Sequence, residues 1–178
     1  ALGLGSYDLN INQAWSKSFI PGQDALSDGH GHGSHVAGTI AALANGNGIV
    51  GVAPGATCIS VKVLSDGGSG SWEGVIAGIE HSVKIINDNG LDKNKCVLNM
   101  SLGGSYNAAL DAVVKKAADQ GIRFAIAAGN SGADADGFSP AAAGDHPNVF
   151  TVSAADNKYN MATFSNWDDP SGGDDVDL

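Results

Sequence analysis

Apolar and polar positions alternate in blocks along the middle of the chain. Four short apolar runs have the length and β-branched content of buried strands, and they cover residues 58–64, 97–102, 122–128 and 149–154. Two intervening segments, 72–87 and 107–120, carry apolar residues at helical spacing and predict helices. Strands that alternate with helices of this length form right-handed βαβ units. The pattern therefore predicts an α/β fold built on a parallel sheet.

We expect residues 1–178 to form a single domain, because no internal repeat and no linker interrupts the sequence. The last residues, 176–178, have the character of the start of another strand, and the sequence begins equally abruptly. This indicates a partial domain that is incomplete at both ends.

Glycine-rich segments follow several of the predicted strands. Glycine accounts for 26 of the 178 residues, and the clusters occupy residues 65–71, 103–105 and 129–137. In parallel sheets, ligands bind in the loops at the carboxyl ends of the strands. These three loops are therefore the expected positions of functional residues.

The charge of the chain argues against some function classes. Nine Lys and Arg residues stand against 19 Asp and Glu residues, which gives a formal net charge of −10. Such a protein is poorly suited to bind nucleic acid or an anionic membrane. No apolar run approaches the roughly 18 residues of a membrane span. No basic segment followed by an apolar one marks a signal peptide, as expected also for a mature secreted chain.

Cys58 and Cys96 are too few for a disulfide scaffold, and no CxxC motif is present. Both fall in or beside predicted strands, and we expect two buried free thiols. A bridge between them would require the two strands to be neighbours.

The densest candidate chemistry is the segment DGHGHGSH at 28–35, which precedes a predicted helix over 36–44. A polar loop with structural histidines is one interpretation. A second is a zinc site formed by His30, His32 and His35, although Ser34 stands where the HxHxDH motif of zinc hydrolases has an aspartate. A third is a catalytic base at the N-terminus of a helix.

Further motifs favour the third interpretation. The run HGSHVAGT at 32–39 resembles the histidine motif of subtilisin-like serine proteases, the subtilases of peptidase family S8. Other stretches similar to motifs of this family follow in the same order: GVAPGA at 51–56, VKVL at 61–64, NMSLGG at 99–104, AAGNSG at 127–132, SPA at 139–141 and ATFSN at 162–166. The resemblance implies a three-layer, parallel-sheet subtilisin-like fold and a serine endopeptidase.

The resemblance assigns catalytic roles to two residues. His32 matches the base that takes the proton of the nucleophilic serine, whereas His35 matches a structural histidine. Asn130 matches the donor to the oxyanion. The family's serine motif GTS[MA]A and aspartate motif D[ST]G do not occur in the 178 residues. The span alone is therefore expected to be an inactive fragment, with a non-catalytic peptide-binding module and the zinc hydrolase as alternatives.

The resemblance also implies how a substrate is bound. A protein or peptide would add as an extended strand between two backbone rims, above the wall of a side-chain pocket. The rims match Gly68, Ser69 and Gly70, and Ser101, Leu102 and Gly103; the wall matches Ala127, Ala128 and Gly129.

A structural calcium site is the last feature that the resemblance implies. The loop LANGNGI at 43–49 is similar to the family's calcium loop, and the matching ligands are Asp8, Leu43, Asn45, Asn47 and Ile49. Oxygen ligands of this kind suit calcium rather than zinc. We further expect a secreted protein that is a monomer.

Overall fold

A computed structural model describes residues 2–3, 8–169 and 176–177. The chain divides into two compact units, Ala1–Gly78 and Ile79–Leu178. The elements of the first unit are, in chain order, β1 Leu2–Gly3, β2 Asn10–Ile11, β3 Lys17–Ser18, β4 Ser27–Asp28, α1 His32–Ala41, β5 Thr57–Cys58 and β6 Val61–Lys62. The unit boundary falls within α2 Trp72–Asp88, whose bounds agree with the predicted helix.

Short strand pairs connect the segments of the first unit. β2 and β3 pair in parallel with β5 and β6, whereas β1 and β4 are antiparallel. The single strand predicted over 58–64 is wrong, because Ile59 and Ser60 separate β5 from β6. The segment between β2 and β3, which pairs with this region, forms a turn at 13–15. Just after the turn, the hydroxyl of Ser16 accepts a 3.0 Å hydrogen bond from the Ser60 amide in place of a backbone carbonyl, so the backbone ladder is interrupted.

The bounds predicted for the histidine helix are also wrong, since α1 spans His32–Ala41 rather than 36–44. At its C-terminus, Ala42 adopts φ −53° and ψ 135° and leaves the helix. Its carbonyl accepts a 2.9 Å bond from the Gly51 amide. A Cβ on Gly51 would lie 2.5 Å from the Ala42 amide nitrogen, so only glycine allows this approach.

The second unit contains a parallel sheet covered by a helix. Its elements are β7 Val97–Met100, β8 Gly104–Ser105, α3 Ala108–Ala118, β9 Arg123–Ala127, β10 Phe138–Ser139 and β11 Val149–Val152. The parallel strands have the order β11-β9-β7. Phe124 and Ile126 on β9 are buried, as are Leu110 and Val114 on α3, so alternate strand positions and one helix face supply the core.

These elements confirm an α/β fold with parallel strands, as the sequence pattern predicts. Asp177, within the predicted strand at 176–178, forms a single parallel bridge with Val152 of β11. Cys58 and Cys96 are free, as expected, but both are half-buried rather than buried. Burial raises the pKa of both thiols.

Candidate active site

The side chain of Asp28 organises the N-terminus of α1. Its Oδ1 accepts a 2.8 Å bond from the Gly31 amide, and its Oδ2 accepts bonds from the amide and hydroxyl of Ser34 at 2.8 and 2.7 Å. Burial would raise the pKa of Asp28, but these donors and the charge of Lys62 outweigh it and hold the pKa below the usual 3.8. His32 consequently begins the helix, directly after Gly31 in its left-handed conformation with φ +92°.

His30 contacts both His32 and the first predicted substrate rim. The rings of His30 and His32 are perpendicular, and their centroids lie 6.2 Å apart. A Cβ on Gly68 would lie 2.9 Å from Cδ2 and from Nε2 of His30, and Gly68 has φ +80°. The first unit therefore brings the predicted base and the rim at Gly68 together through His30.

The zinc interpretation is wrong. Within residues 2–3, 8–169 and 176–177, no three His, Cys, Asp or Glu side chains are grouped so that they could hold a metal ion. The physical reason is that α1 starts at His32, while the ring of His30 lies against Gly68. The three imidazoles do not converge on one point.

Asp66 fixes the histidine loop to the start of the rim, and sequence reasoning assigned it no role. Its Oδ1 accepts a 3.1 Å bond from the Gly29 amide and a 3.0 Å bond from Nζ of Lys62. The Lys62 ammonium and the Gly29 amide lower the pKa of Asp66. Each of the two aspartates that hold this loop, Asp28 and Asp66, directly precedes a glycine in the sequence. An Asp-Gly pair is typical of a turn in which the carboxylate accepts bonds from backbone amides, so this pair is the sequence feature that indicates their role.

Asp8 lies against the loop predicted to bind calcium. Its carbonyl accepts a 3.0 Å bond from the Leu43 amide, and its Oδ1 accepts a 2.9 Å bond from Nδ2 of Asn45. The amide oxygen of Asn45 accepts a bond from the Asn47 amide at 2.9 Å. Gly46 and Gly48 have φ +82° and +64°, which lets the loop turn tightly. The structure therefore brings Asp8, Leu43, Asn45 and Asn47 together.

In the second unit, the residues predicted to form the other rim and the pocket wall leave the same edge of the sheet. β7 and β9 are parallel neighbours with Met100 opposite Ile126, so the residues that follow each strand emerge together. These residues are Ser101, Leu102 and Gly103 after β7, and Ala127, Ala128 and Gly129 at the end of β9. Ala127 is exposed, whereas the side chain of Ala128 is buried.

Asn130 is exposed in the turn that follows β9. Gly129 precedes it with φ +112°, and the fully buried Asn166 lies beneath the turn and accepts a 2.8 Å bond from the Ser131 amide. Sequence reasoning matched Asn166 to a family motif but gave it no role. His32 belongs to the first unit and Asn130 to the second.

Comparison with known proteins agrees with these features. The model of the Subtilase family matches residues 6–173. The chain is 40% identical over 164 residues to Subtilisin DY of Bacillus licheniformis, which is 92% of this chain. It is 46% identical over 153 residues, 86% of this chain, to Subtilisin-like protease 2 of Pseudogymnoascus destructans. The chain belongs to the subtilase family.

A solved structure shows the same fold. The crystal structure of a cold adapted subtilisin-like serine proteinase matches 90% of this chain with a TM-score of 0.71 and 36% sequence identity. The fold is therefore the subtilisin-like α/β fold. The chain spans 57% of that structure, 57% of Subtilisin DY and 35% of Subtilisin-like protease 2.

Proposed function

We propose that this chain is part of a serine endopeptidase and contributes His32 as the general base and Asn130 as the oxyanion donor. The observation that carries the proposal is the position of His32. It begins α1, directly after a loop held by Asp28 and Asp66. Its ring contacts His30, which lies against the proposed rim. The serine and aspartate motifs do not occur in the 178 residues, and in this proposal they come from outside this span.

In this proposal, His32 takes the proton of the serine hydroxyl while the serine oxygen bonds to the substrate carbonyl carbon. The carbonyl electron pair moves onto the oxygen, to which the Asn130 amide donates a hydrogen bond. His32 then gives its proton to the amine that leaves when the peptide C–N bond breaks.

The substrate is proposed to bind as an extended strand along the two rims. Gly68, Ser69 and Gly103 are exposed, so a peptide backbone has access to the main chain at both rims. Ala127 and Gly129 form the pocket wall, and Ala128 contributes only backbone because its side chain is 1% exposed. Small wall residues leave room for large apolar substrate side chains.

Calcium is proposed to bind between Asp8 and the loop at 43–49. Support comes from the donor set, since one carboxylate, the Asn45 amide and the carbonyls of Leu43, Asn47 and Ile49 are all hard oxygen ligands. The hydrogen bond from Nδ2 of Asn45 to Oδ1 of Asp8 also supports this proposal, because both side chains belong to the proposed donor set. A cation there requires Asn45 to present its amide oxygen rather than its nitrogen to the ion.

We also propose that the protein acts outside the cell, as a monomer, and binds neither nucleic acid nor membrane. The net charge of −10 supports the absence of contact with polyanions. Among the helices that the structure describes, none is long and apolar enough to cross a membrane.

Labelling with a fluorophosphonate, which reacts with activated serines, tests the function. The full-length protein should be labelled stoichiometrically, and its His32→Ala variant should react at least about 100-fold more slowly. The isolated span 1–178 should not be labelled, because it lacks the serine motif. An unlabelled full-length protein that still binds peptide would instead support a non-catalytic module.

A further inference from the structure

Asn166 makes four hydrogen bonds to the turn that contains Asn130. Its Nδ2 donates to the Ala128 carbonyl at 2.9 Å, and its backbone amide donates to the Gly129 carbonyl at 3.0 Å. Its Oδ1 accepts from the amides of Ser131 and Ala133 at 2.8 and 3.4 Å. The residue is fully buried. These partners lie on both sides of Asn130 in the sequence, so one side chain holds the entry and the exit of the turn.

The turn is shaped to fit around this side chain. Gly129 has φ +112°, a region that favours glycine. A Cβ at Gly129 would collide with Nδ2 of Asn166. The approach of the backbone to the buried amide thus accounts for the glycine that directly precedes Asn130.

Asn166 is itself anchored. The hydroxyl of Ser165 accepts a 2.9 Å bond from the Ala154 amide, just after β11. The amide of Trp167 donates to the Ala133 carbonyl at 3.1 Å, and the amide of Gly132 donates to the Phe164 carbonyl at 2.9 Å. The segment 164–167 therefore connects the exposed turn to the sheet.

We propose that Asn166 is a positioning residue that fixes the direction of the Asn130 side chain. This inference rests on the proposed role of Asn130 as oxyanion donor. A donor stabilises a transition state effectively only when it is already oriented toward the developing charge, and misplacement by about 1 Å can cost 100-fold in rate. The exposed Asn130 gains that orientation from the buried amide below it.

A double-mutant cycle in the full-length protein tests the coupling. We expect Asn166→Ala to lower kcat by at least about tenfold with KM within about twofold, and to have much less effect in an Asn130→Ala background. Asn148→Ala removes a side-chain bond to the Ala118 carbonyl in the same unit and should leave kcat unchanged within about twofold. Multiplicative effects of Asn166→Ala and Asn130→Ala would overturn the proposal.

If Asn166→Ala fails to fold, Asn166→Asp replaces it in the cycle, since the isosteric carboxylate keeps the acceptor but loses the donor to Ala128. The same requirement of non-additivity with Asn130→Ala then applies.

Amide hydrogen exchange gives a readout that does not depend on activity. The Ser131 amide should exchange at least about tenfold faster in folded Asn166→Ala, which removes its acceptor, than in wild type, Asn148→Ala or Asn166→Asp, which all keep an acceptor there. Unchanged exchange at Ser131 in Asn166→Ala would overturn the proposal even if the protein is an active protease. Conversely, faster exchange in a protein that no serine probe labels would support the anchoring and refute the proposed function.

Discussion

The hydroxyl of Ser139 donates a 2.7 Å hydrogen bond to Oδ2 of Asp111, and both side chains are buried. Within the part of the chain that the structure describes, Oδ1 of Asp111 has no hydrogen-bond partner. Burial raises the pKa of Asp111 above the usual 3.8, although the bond from Ser139 and the charge of Lys115 oppose this shift. The Asn107 amide also donates to the Ser139 hydroxyl at 2.7 Å, so the pair connects α3 to β10.

We predict that Asp111→Asn stabilises the protein at neutral pH. Because the folded-state pKa is raised, protonation of Asp111 favours the folded state, and this stabilisation is lost as pH rises from about 3.8 through the folded pKa. Asparagine keeps an acceptor for Ser139 and carries no charge to desolvate. The free energy of unfolding from denaturant titrations should be higher than wild type at pH 7, and the advantage should shrink toward pH 3.

Asp111→Ala should have the opposite effect and cost about 1–3 kcal/mol, since the buried Ser139 hydroxyl loses its acceptor. The exposed Asp136 provides a control, and Asp136→Asn should change stability by less than about 0.5 kcal/mol. If Asp111→Asn were less stable than wild type at pH 7, burial of the charged carboxylate would not be what destabilises the folded protein.

Asp28→Ala should destabilise the protein by about 1–2 kcal/mol at neutral pH, the usual cost of removing a helix cap. The pKa of Asp28 is lowered in the folded state, so its contribution is present above about 3.8 and disappears as pH falls below that value. Chemical denaturation at pH 7 and pH 3 measures both effects. Asp88→Ala removes an exposed ion pair with Lys84 and should cost less than about 1 kcal/mol.

In the full-length protein, His32→Ala should reduce kcat by several orders of magnitude, whereas His35→Ala should leave kcat within about threefold and act through stability. His32 begins α1 and contacts His30 near the rim; the His35 amide bonds to the Gly31 carbonyl at 3.0 Å inside the helix. Steady-state kinetics on a peptide substrate, with circular dichroism to check folding, separates the two. Equal losses of kcat in two folded variants would contradict the assignment.

Asn130→Ala should lower kcat of the full-length protein about 100- to 1000-fold with little change in KM. This magnitude is known from subtilisin itself, for removal of its oxyanion asparagine. In the proposed role, the effect falls on kcat because the Asn130 amide would meet the charged oxygen only in the transition state. A variant with normal kcat and raised KM would place Asn130 in substrate binding instead.

Local sequence signals predicted the long elements well, because periodicity alone defines α2 and the buried positions of β9 and α3. They failed where a hydrogen bond to a side chain sets a boundary. α1 begins four residues earlier than predicted because Asp28 accepts bonds from Gly31 and Ser34. The strand over 58–64 is split because the hydroxyl of Ser16, 44 residues away, replaces a backbone partner of Ser60.

Motif matching predicts roles for His32 and Asn130 but gives no role to the residues that hydrogen-bond the loop and the turn in which they lie. Asp66 lies 37 residues from its partner Gly29, and Asn166 lies 35 residues from Ser131. A pattern of apolar positions contains no information on such pairs, because they form only when the chain folds. The hydrogen bonds that orient a site are therefore the part that requires the structure.

Calcium should raise the melting temperature of the protein through Asp8 and the loop at 43–49. An ion that binds only the folded state adds RT ln(1 + [L]/Kd), about 2.7 kcal/mol at a hundredfold excess over Kd. Asp8 is the only carboxylate in the proposed ligand set, so Asp8→Ala should abolish most of the calcium-dependent shift. The net charge of −10 should enlarge the shift in wild type, since a bound cation relieves acidic repulsion.

Calorimetry of the full-length protein with calcium and with chelator measures this shift, and Asp24→Ala is the matched control. The Asp24 carboxylate accepts a 2.8 Å bond from the Leu26 amide in an exposed turn of the same unit, so its removal should cost stability equally with and without calcium. In the chelated state, Asp8→Ala loses the bond from Asn45 but also relieves acidic repulsion, so its melting temperature should lie close to wild type. An identical calcium shift in wild type and Asp8→Ala would exclude Asp8 from the site and leave the loop as a simple turn.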